Sequence, residues 1–522
     1  MTPFRAPLAD ILHSLDLAGA ARLPDWDAGL AAELGGHFAA SAEAEIAPLD
    51  AAGDAEGCRL EDGRVRMPAG FRRVYADWAA AGWPGLTAPE AHGGQGQGAA
   101  MLAITSEIFS GACHALQMVT GLVPGAIRTL MRFGTEAQRA RMIPPLASGQ
   151  WLSTMALTEP EAGSDLARIR CRAERDGAGR WRISGEKIFI SGGDQDLSEG
   201  VFHLVLARTG PGGVKGLGLF AVLPGASVRV TRIEAKMGLH ASPTCALLFD
   251  GAEAELIGAE GGGLAAMFTM MNHARLDVAL QGVAHAARAA DVARNHAAGR
   301  VQGRGPDGAP VTIDAHPDVT RMIAEAEAAA LAGRLLCHVA LVAMEAGDDP
   351  ALVEFLTPLC KVDCTEGALR AAEAAQQVLG GYGYLREYRV EQTWRDARIT
   401  AIYEGANGIH AGQLASRGMA HAPAFAGWVA RVAAETGAGE IAPALAQWEA
   451  ARAHVAGHAR PADLAHDYVA CTAALARLAA FALIAAGADR APEPARAAAL
   501  AARFRRRLPA EVAFRAGLVR GA

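Results

Sequence analysis

Residues 398–409 read Arg398-Ile-Thr-Ala-Ile402-Tyr403-Glu404-Gly405-Ala406-Asn407-Gly408-Ile409, a lone carboxylate set beside glycine after an apolar lead-in. A carboxylate in that setting loses solvation, so its pKa rises and it can accept a proton from a weakly acidic C–H. Taken alone, the stretch favours a plainer reading in which Glu404 caps a helix or pairs with Arg395 or Arg398. The rest of the chain decides between the two.

At 522 residues the chain has room for about three domains. Its hydrophobic fraction is 51% with only 6% aromatics, which reflects abundant alanine and leans helical and globular rather than disordered. A net charge of -7 argues against a chain built to bind nucleic acid. The cysteines, Cys58, Cys113, Cys171, Cys245, Cys337, Cys360, Cys364 and Cys471, are scattered without a CxxC, so neither a disulfide framework nor a zinc site is indicated. Cys360 and Cys364 lie one helical turn apart and read as buried structural residues. No metal is expected: there is no HExxH, and His273, His285 and His296 share one helical stretch without an acidic cluster. A GxSxG elbow is also missing. Arg5 and Asp10 interrupt the first apolar residues, unlike a signal peptide, and no uninterrupted apolar run of membrane length is found; Ala470 to Ala488, the nearest, contains Arg477. A soluble protein in the cytoplasm, with no membrane partner, is the expectation.

Residues 1–151 read as an N-terminal helical domain, with helices at Asp27 to Ala52, Pro68 to Ala81, Gly98 to Ile108 and Glu136 to Ala147. Two stretches formally match the dinucleotide fingerprint, Gly94 to Ala99 and Gly216 to Ala221, but neither sits between a strand and a helix, so both read as turn or close-packing glycines. Between 152 and 258, short β-rich runs recur between turns (Trp181 to Ser184, Lys187 to Ile190, Val201 to Ala207, Gly218 to Leu223, Val228 to Thr231, Cys245 to Phe249), which predicts a middle β-barrel or sandwich. The loop before them, Met155 to Asp165, offers backbone N–H groups and hydroxyls that suit a polar-edged heteroaromatic ring or a phosphorylated ligand; an ordinary capping turn fits it about as well. Helical periodicity returns at Leu264 to Arg300, a loop is expected at Gly303 to Pro317, and helices follow at Asp318 to Ala346 and Pro350 to Leu379, the last interrupted by Pro358. Residues 259–419 thus predict a four-helix bundle and 420–522 a helical C-terminal extension with proline breaks.

These pieces, in this order, resemble the acyl-CoA dehydrogenase family over about residues 80–417. The resemblance rests on Gly82-Trp83-Pro84-Gly85-Leu86 through Gly96, Gly134-Thr135-Glu136-Ala-Gln138 through Trp151, Thr158-Glu-Pro to Asp165, Gly185-Glu-Lys187-Ile-Phe189-Ile-Ser191, Lys236-Met-Gly238, Gln377-Val-Leu-Gly380-Gly381-Tyr-Gly383-Tyr384, and Tyr403-Glu404-Gly405. It implies the family fold, a helical domain, a β-barrel and a helical bundle, here with a helical extension. It further implies a bound FAD and oxidation of an acyl-CoA thioester to the trans-2-enoyl-CoA, with Glu404 taking the α-proton while the β-hydrogen leaves as hydride to flavin N5. Leu157, Thr158, Phe189 and Ser191 match positions against the flavin ring. Arg300, Gln302, Gln377 and Gly381 match positions that reach the FAD of a neighbouring subunit, implying a homodimer or homotetramer. Ser164 and Arg275 match CoA-side positions, Tyr403 and Gly405 flank the base on the substrate side, and Ala406 takes the cofactor-side position after the glycine. An electron-transfer flavoprotein or similar acceptor would take the electrons.

Some members of the family carry their base directly before the arginine at 275, where this chain has Ala274, so Glu404 has no rival. Ala406 stands where many relatives have threonine, Gly408 where a glutamine is common, and Gly303-Arg304 replaces the usual phenylalanine after Arg-x-Gln, so one or two cofactor hydrogen bonds are expected to be missing. Gln302-Gly-Arg304, His316-Pro317-Asp318-Val319 and the run from Met237 to Cys245 are most similar to the 3-methylmercaptopropionyl-CoA dehydrogenase-like branch. An alternative from the same resemblance is a flavoprotein of this fold with a DNA-binding, alkylation-response role, for which Arg503, Arg505, Arg506 and Arg507 supply a local basic run.

Overall fold

The β-rich runs of the middle region close into a barrel. In the computed structural model, which describes residues Pro3–Gly521, strand Gly200–Arg208 pairs in parallel with Trp151–Ala156 and antiparallel with Leu217–Val222, which in turn meets Thr244–Ile257. Thr244–Ile257 also pairs with Trp181–Ser191, and Trp181–Ser191 with Arg172–Arg175. A bridge between Arg172 and Arg208 completes the ring, and Val228–Ile233 adds to Thr244–Ile257. Closure leaves few unpaired edges. Leu217–Val222 is buried throughout and Gly200–Arg208 nearly so, which is why both read as continuous apolar runs rather than alternating ones. Thr154 and His203, register partners in the parallel pair, share a 2.7 Å hydrogen bond, and burial pushes the His203 ring down to about 4, so it is neutral.

Contacts divide the chain into two units. One contains Ala44–Gly98 and Ala112–Ala274, that is, the barrel with helices such as Val123–Phe133 and Glu136–Ala147; the other contains Met1–Glu43, Ala99–Gly111 and Arg275–Ala522 and is almost wholly helical. The segment 1–151 is therefore shared between the units. Within it, Arg59–Glu61 and Arg64–Arg66 form a hairpin that counting helix formers does not reveal. Helix Glu136–Ala147 has its expected bounds, set by a capping box between Thr135 and Gln138.

In the helical unit, Pro317–Ala346 and Pro350–Leu379 pack against each other, and the N-terminal helix Leu8–Leu17 lies on the first of them. Pro358 was expected to interrupt Pro350–Leu379. The helix instead runs through it, because Pro358 is buried among neighbours that hold the turn despite the missing backbone donor. The expected loop at 303–317 is in part a hairpin, Val301–Arg304 with Pro310–Thr312, followed by a short turn of 3-10 helix. Buried within this unit, the Arg334 guanidinium grips both Glu107 oxygens at 2.6–3.0 Å.

Residues beyond 420 form helices Ala422–Thr436, Ile441–Gly457, Ala465–Ala486 and Pro494–Arg520, and Pro509 sits inside the last without ending it. They share one core with the bundle. Phe355 stacks on Phe425 at 4.9 Å, Trp448 meets Phe425 edge-on at 5.2 Å, and Tyr468 stacks on Trp448 at 6.1 Å. The Trp448 indole N–H donates to Thr472 at 2.9 Å, so the ring is buried without a lost hydrogen bond. Arg505 and Arg507, two of the four arginines considered for DNA, are engaged by Glu440 and Glu325.

Among the described residues three helices, Ala99–Thr120, Pro317–Ala346 and the one running through Ala486, are long and apolar enough to cross a membrane, although charged residues such as Glu107, Arg334 and Arg477 interrupt them. Most of each is buried inside the protein, where its alanine-rich faces form core. All eight cysteines are free, and the Cys337 and Cys364 sulfurs lie 3.7 Å apart. Among the described residues no cluster of metal-ligating side chains occurs.

Candidate active site

In the barrel unit, one buried ammonium ties the loop of Leu157 and Thr158 to the strand that carries Phe189 and Ser191. The Thr158 carbonyl accepts the Ile188 N–H at 2.9 Å, which draws the loop after Trp151–Ala156 onto strand Trp181–Ser191. Lys187, fully buried, donates to the Leu157 carbonyl (2.9 Å), a Glu159 carboxylate oxygen (2.8 Å) and the Leu206 carbonyl (2.7 Å). Glu159 also accepts the N–H groups of Arg170 and Cys171. Both charges of the pair are hydrogen-bonded, as buried charges must be. Strand register shifts between Lys187 and Ile190, and at that irregularity Phe189 takes a left-handed φ of 59° with 59% of its surface exposed. An exposed aromatic ring next in the chain to Ile188, the partner of the half-buried Thr158, with Leu157 buried and Ser191 on the same strand, suits a flat ring with a polar edge. Ser164 lies exposed in the turn beyond.

In the helical unit, Glu404 follows a tight turn in which the Ile402 and Tyr403 N–H groups both reach the Ile399 carbonyl. Glu404 itself has φ 53°, a left-handed conformation that costs a non-glycine residue roughly 1 kcal/mol or more. Gly405 continues it at φ 96°, and a Cβ there would stand 2.7 Å from His410 Nε2, so only glycine fits. His410 Nε2–H donates to the Glu404 carbonyl at 3.1 Å, and burial pushes its ring down to about 4. Lys361 donates to the Gly405 carbonyl at 2.7 Å and to Asn407 Oδ1 at 2.9 Å, while Asn407 Nδ2 donates to Thr365 and Glu366. The Tyr403 hydroxyl donates to Gln281 Oε1, and Gln281 in turn donates to Asp277.

Desolvation pushes the Glu404 carboxyl up to about 7, against the pull of Arg275 and Lys361 and with Asp277 adding to the rise. The same burial brings Lys361 down to about 7 and lowers the buried Arg275, Glu404 opposing both shifts. The cations acting on Glu404 are Arg275 and Lys361 rather than Arg395 or Arg398, Arg395 is engaged by Glu391, and the N-cap of the helix that follows is Ala406. Ala406 is the N-cap of helix Asn407–Ala415 and makes no side-chain cap bond, an interaction worth about 1 kcal/mol where a hydroxyl supplies it.

The remaining predicted residues of this unit make none of the hydrogen bonds around Glu404 described above. Arg300, Gln302, Gln377 and Gly381 are all exposed, and the Arg300 guanidinium sits 5.5 Å above the Tyr382 ring. Tyr384 beside them is 89% exposed. Sequence reading missed Lys361, His410, Asn407, Gln281 and Asp277. Only Lys361 carried a usable signal, a single cation in the apolar run from Leu356 to Val362.

The chain matches "Acyl-CoA dehydrogenase, N-terminal domain" over residues 33–150, "Acyl-CoA dehydrogenase, middle domain" over 154–252 and "Acyl-CoA dehydrogenase, C-terminal domain" over 261–419. It is 40% identical to the 3-methylmercaptopropionyl-CoA dehydrogenase of Ruegeria pomeroyi, over 79% of this chain and 76% of that one. The chain belongs to the acyl-CoA dehydrogenase family. Among solved structures, its fold is similar to that of Caenorhabditis elegans ACDH-11 in complex with C11-CoA, with a TM-score of 0.80 at 20% identity over 97% of this chain and 92% of that one. An acyl-CoA dehydrogenase from Bacillus anthracis complexed with FAD gives a TM-score of 0.73 at 21% identity, over 86% of this chain and 82% of that one. Membership makes the protein a flavin-dependent oxidoreductase with FAD as cofactor. The residues fit that group: the exposed Phe189 face and Thr158 hydroxyl suit the flavin ring, and the exposed Arg300 suits a pyrophosphate. The DNA-binding alternative receives no support from these similarities or from the paired arginines.

Proposed function

We propose that the protein oxidises an acyl-CoA thioester to its trans-2-enoyl-CoA, with Glu404 as the base that removes the α-proton. The observation that carries this reading is the state of Glu404, a carboxyl raised by burial to about 7 and fixed by a left-handed backbone. A base of that strength matches a neutral operating pH. Among the described residues no acceptor engages the Glu404 N–H, which leaves it available to polarise the thioester carbonyl and stabilise enolate character as the α-proton departs. Bound FAD supplies the hydride acceptor for the β-hydrogen. Leu157, Thr158, Phe189 and Ser191 hold its ring, Ser164 and Arg275 hold the CoA side, and Tyr403 and Gly405 fix the backbone on either side of the base. Arg300, Gln302, Gln377 and Gly381 would reach the FAD of a second copy, so the reading includes a homo-oligomer, and an electron-transfer flavoprotein is its natural acceptor. The 40% identity to the Ruegeria pomeroyi enzyme makes a short thioether acyl chain the first substrate to try.

The test is anaerobic addition of a panel of straight-chain, branched, aryl and thioether acyl-CoAs to the purified holoenzyme. Bleaching of the flavin by at least one member is expected. Failure of the whole panel would overturn the dehydrogenase reading.

A further inference from the structure

The peptide that carries Glu404 is held from behind by a residue that no reading of the motif selects. Lys361 is fully buried on helix Pro350–Leu379, and its ammonium donates to the Gly405 carbonyl at 2.7 Å and to Asn407 Oδ1 at 2.9 Å. These acceptors lie just after the base, across the left-handed pair Glu404 and Gly405. The turn directs the Gly405 carbonyl into the protein, where an unbonded oxygen is costly. Asn407 is itself oriented by Thr365 and Glu366 from the same helix as Lys361, so one rigid element fixes two points of the turn. His410 holds the third, the Glu404 carbonyl.

We propose that Lys361 is the positioning residue of the catalytic base: its buried ammonium locks the Glu404–Gly405 turn and sets the charge against which Glu404 ionises. This rests on the reading of Glu404 as base. A neutral side chain of equal length would fill the space but would neither bond the Gly405 carbonyl nor favour the carboxylate. Charged Lys361 lowers Glu404, and ionised Glu404 raises Lys361, so the two charges support each other; because burial holds Lys361 down to about 7, that support fades as pH rises above this value. The other charged groups acting on the pair are Arg275 and Asp277 from Gly263–Gly299 and Glu366 from the helix of Lys361; His410, from the helix after the base, is neutral.

The experiment compares wild-type holoenzyme with Lys361→Met, using the acyl-CoA that bleaches the wild-type flavin best and measuring the reduction rate from pH 5 to 9. Lys361→Met is expected to keep its FAD absorbance and bind acyl-CoA within about threefold, to reduce its flavin roughly 10- to 100-fold more slowly, and to show its acidic limb moved up by about one pH unit. Lys361→Ala should regain part of the lost rate on addition of propylammonium, which restores a cation and donor without the side chain. A Lys361→Met enzyme that reacts within twofold of wild type overturns the inference. So does a slower enzyme whose pH midpoint stays in place, since that would make Lys361 a structural filler. Should Lys361→Met fail to hold FAD, the amine-rescue comparison decides: rescue sustains the inference and its absence overturns it. A wild-type flavin that no acyl-CoA reduces would overturn the dehydrogenase reading instead.

Discussion

Lys187→Met removes a buried ammonium that makes three hydrogen bonds, and its cost can be worked from those bonds. Two backbone carbonyls, Leu157 and Leu206, lose their donor, and Glu159 loses its counter-charge while remaining buried. Breaking a buried ion pair from one side costs about 3–5 kcal/mol. Glu159 keeps the N–H groups of Arg170 and Cys171 at 2.7 and 3.0 Å, which places the expected loss near the lower end, about 3 kcal/mol. The Leu157 carbonyl belongs to the loop proposed to bind the flavin ring, so FAD affinity should fall about tenfold or more as that loop loosens. Denaturant unfolding of the apoprotein, followed with FAD titration, measures both. The pairing claim is checked by a cycle: Glu159→Gln with Lys187→Met should cost less than the two single changes added together, because neither charge is then left alone. A single variant within 1 kcal/mol of wild type, or additive effects in the cycle, would refute the assignment of Lys187 and Glu159 as the support of the loop.

The pH dependence of flavin reduction follows from Glu404. A base must be ionised, and a carboxyl raised to about 7 loses its charge as pH falls through 7, so at pH 5 the rate should be on the order of one hundredth of its plateau. A carboxyl at its ordinary value would give a nearly flat rate down to pH 5, and a flat stopped-flow profile would count against the desolvated base. Gly405→Ala demands a Cβ at φ 96° and 2.7 Å from His410 Nε2, and should slow flavin reduction at least tenfold and lower stability by about 1–3 kcal/mol. Parallel rate and melting measurements would contradict this if both stayed at wild-type values. Ala406→Thr supplies the missing cap of Asn407–Ala415 and should add about 1 kcal/mol in thermal unfolding, where no gain would mean that the hydroxyl cannot reach the helix N–H groups.

The helices were legible where a capped amphipathic pattern fixed them, as at Glu136–Ala147, and the barrel strands where β-rich runs alternated with turns. Hairpins of three or four residues, at 59–66 and 301–312, are too short for a periodicity to register. Pro358 was over-read because a proline's local penalty can be outweighed by burial, which the sequence does not display. Glu404, the proposed base, stood out because a carboxylate, a glycine and an apolar approach are adjacent in the chain. Its supports did not: Lys361, Gln281 and Asp277 lie 43, 123 and 127 residues before Glu404 and meet its turn only through helix packing. A sum of such distant contacts leaves no local pattern to read.

The most direct test of the central claim is Glu404→Gln, measured as the anaerobic rate of flavin reduction by the acyl-CoA that reduces wild type fastest. The amide keeps the volume and the left-handed backbone but cannot accept the proton, so FAD and thioester binding should persist while reduction falls by at least about 10³-fold. Reduction at a rate near wild type would place the base elsewhere and contradict the account.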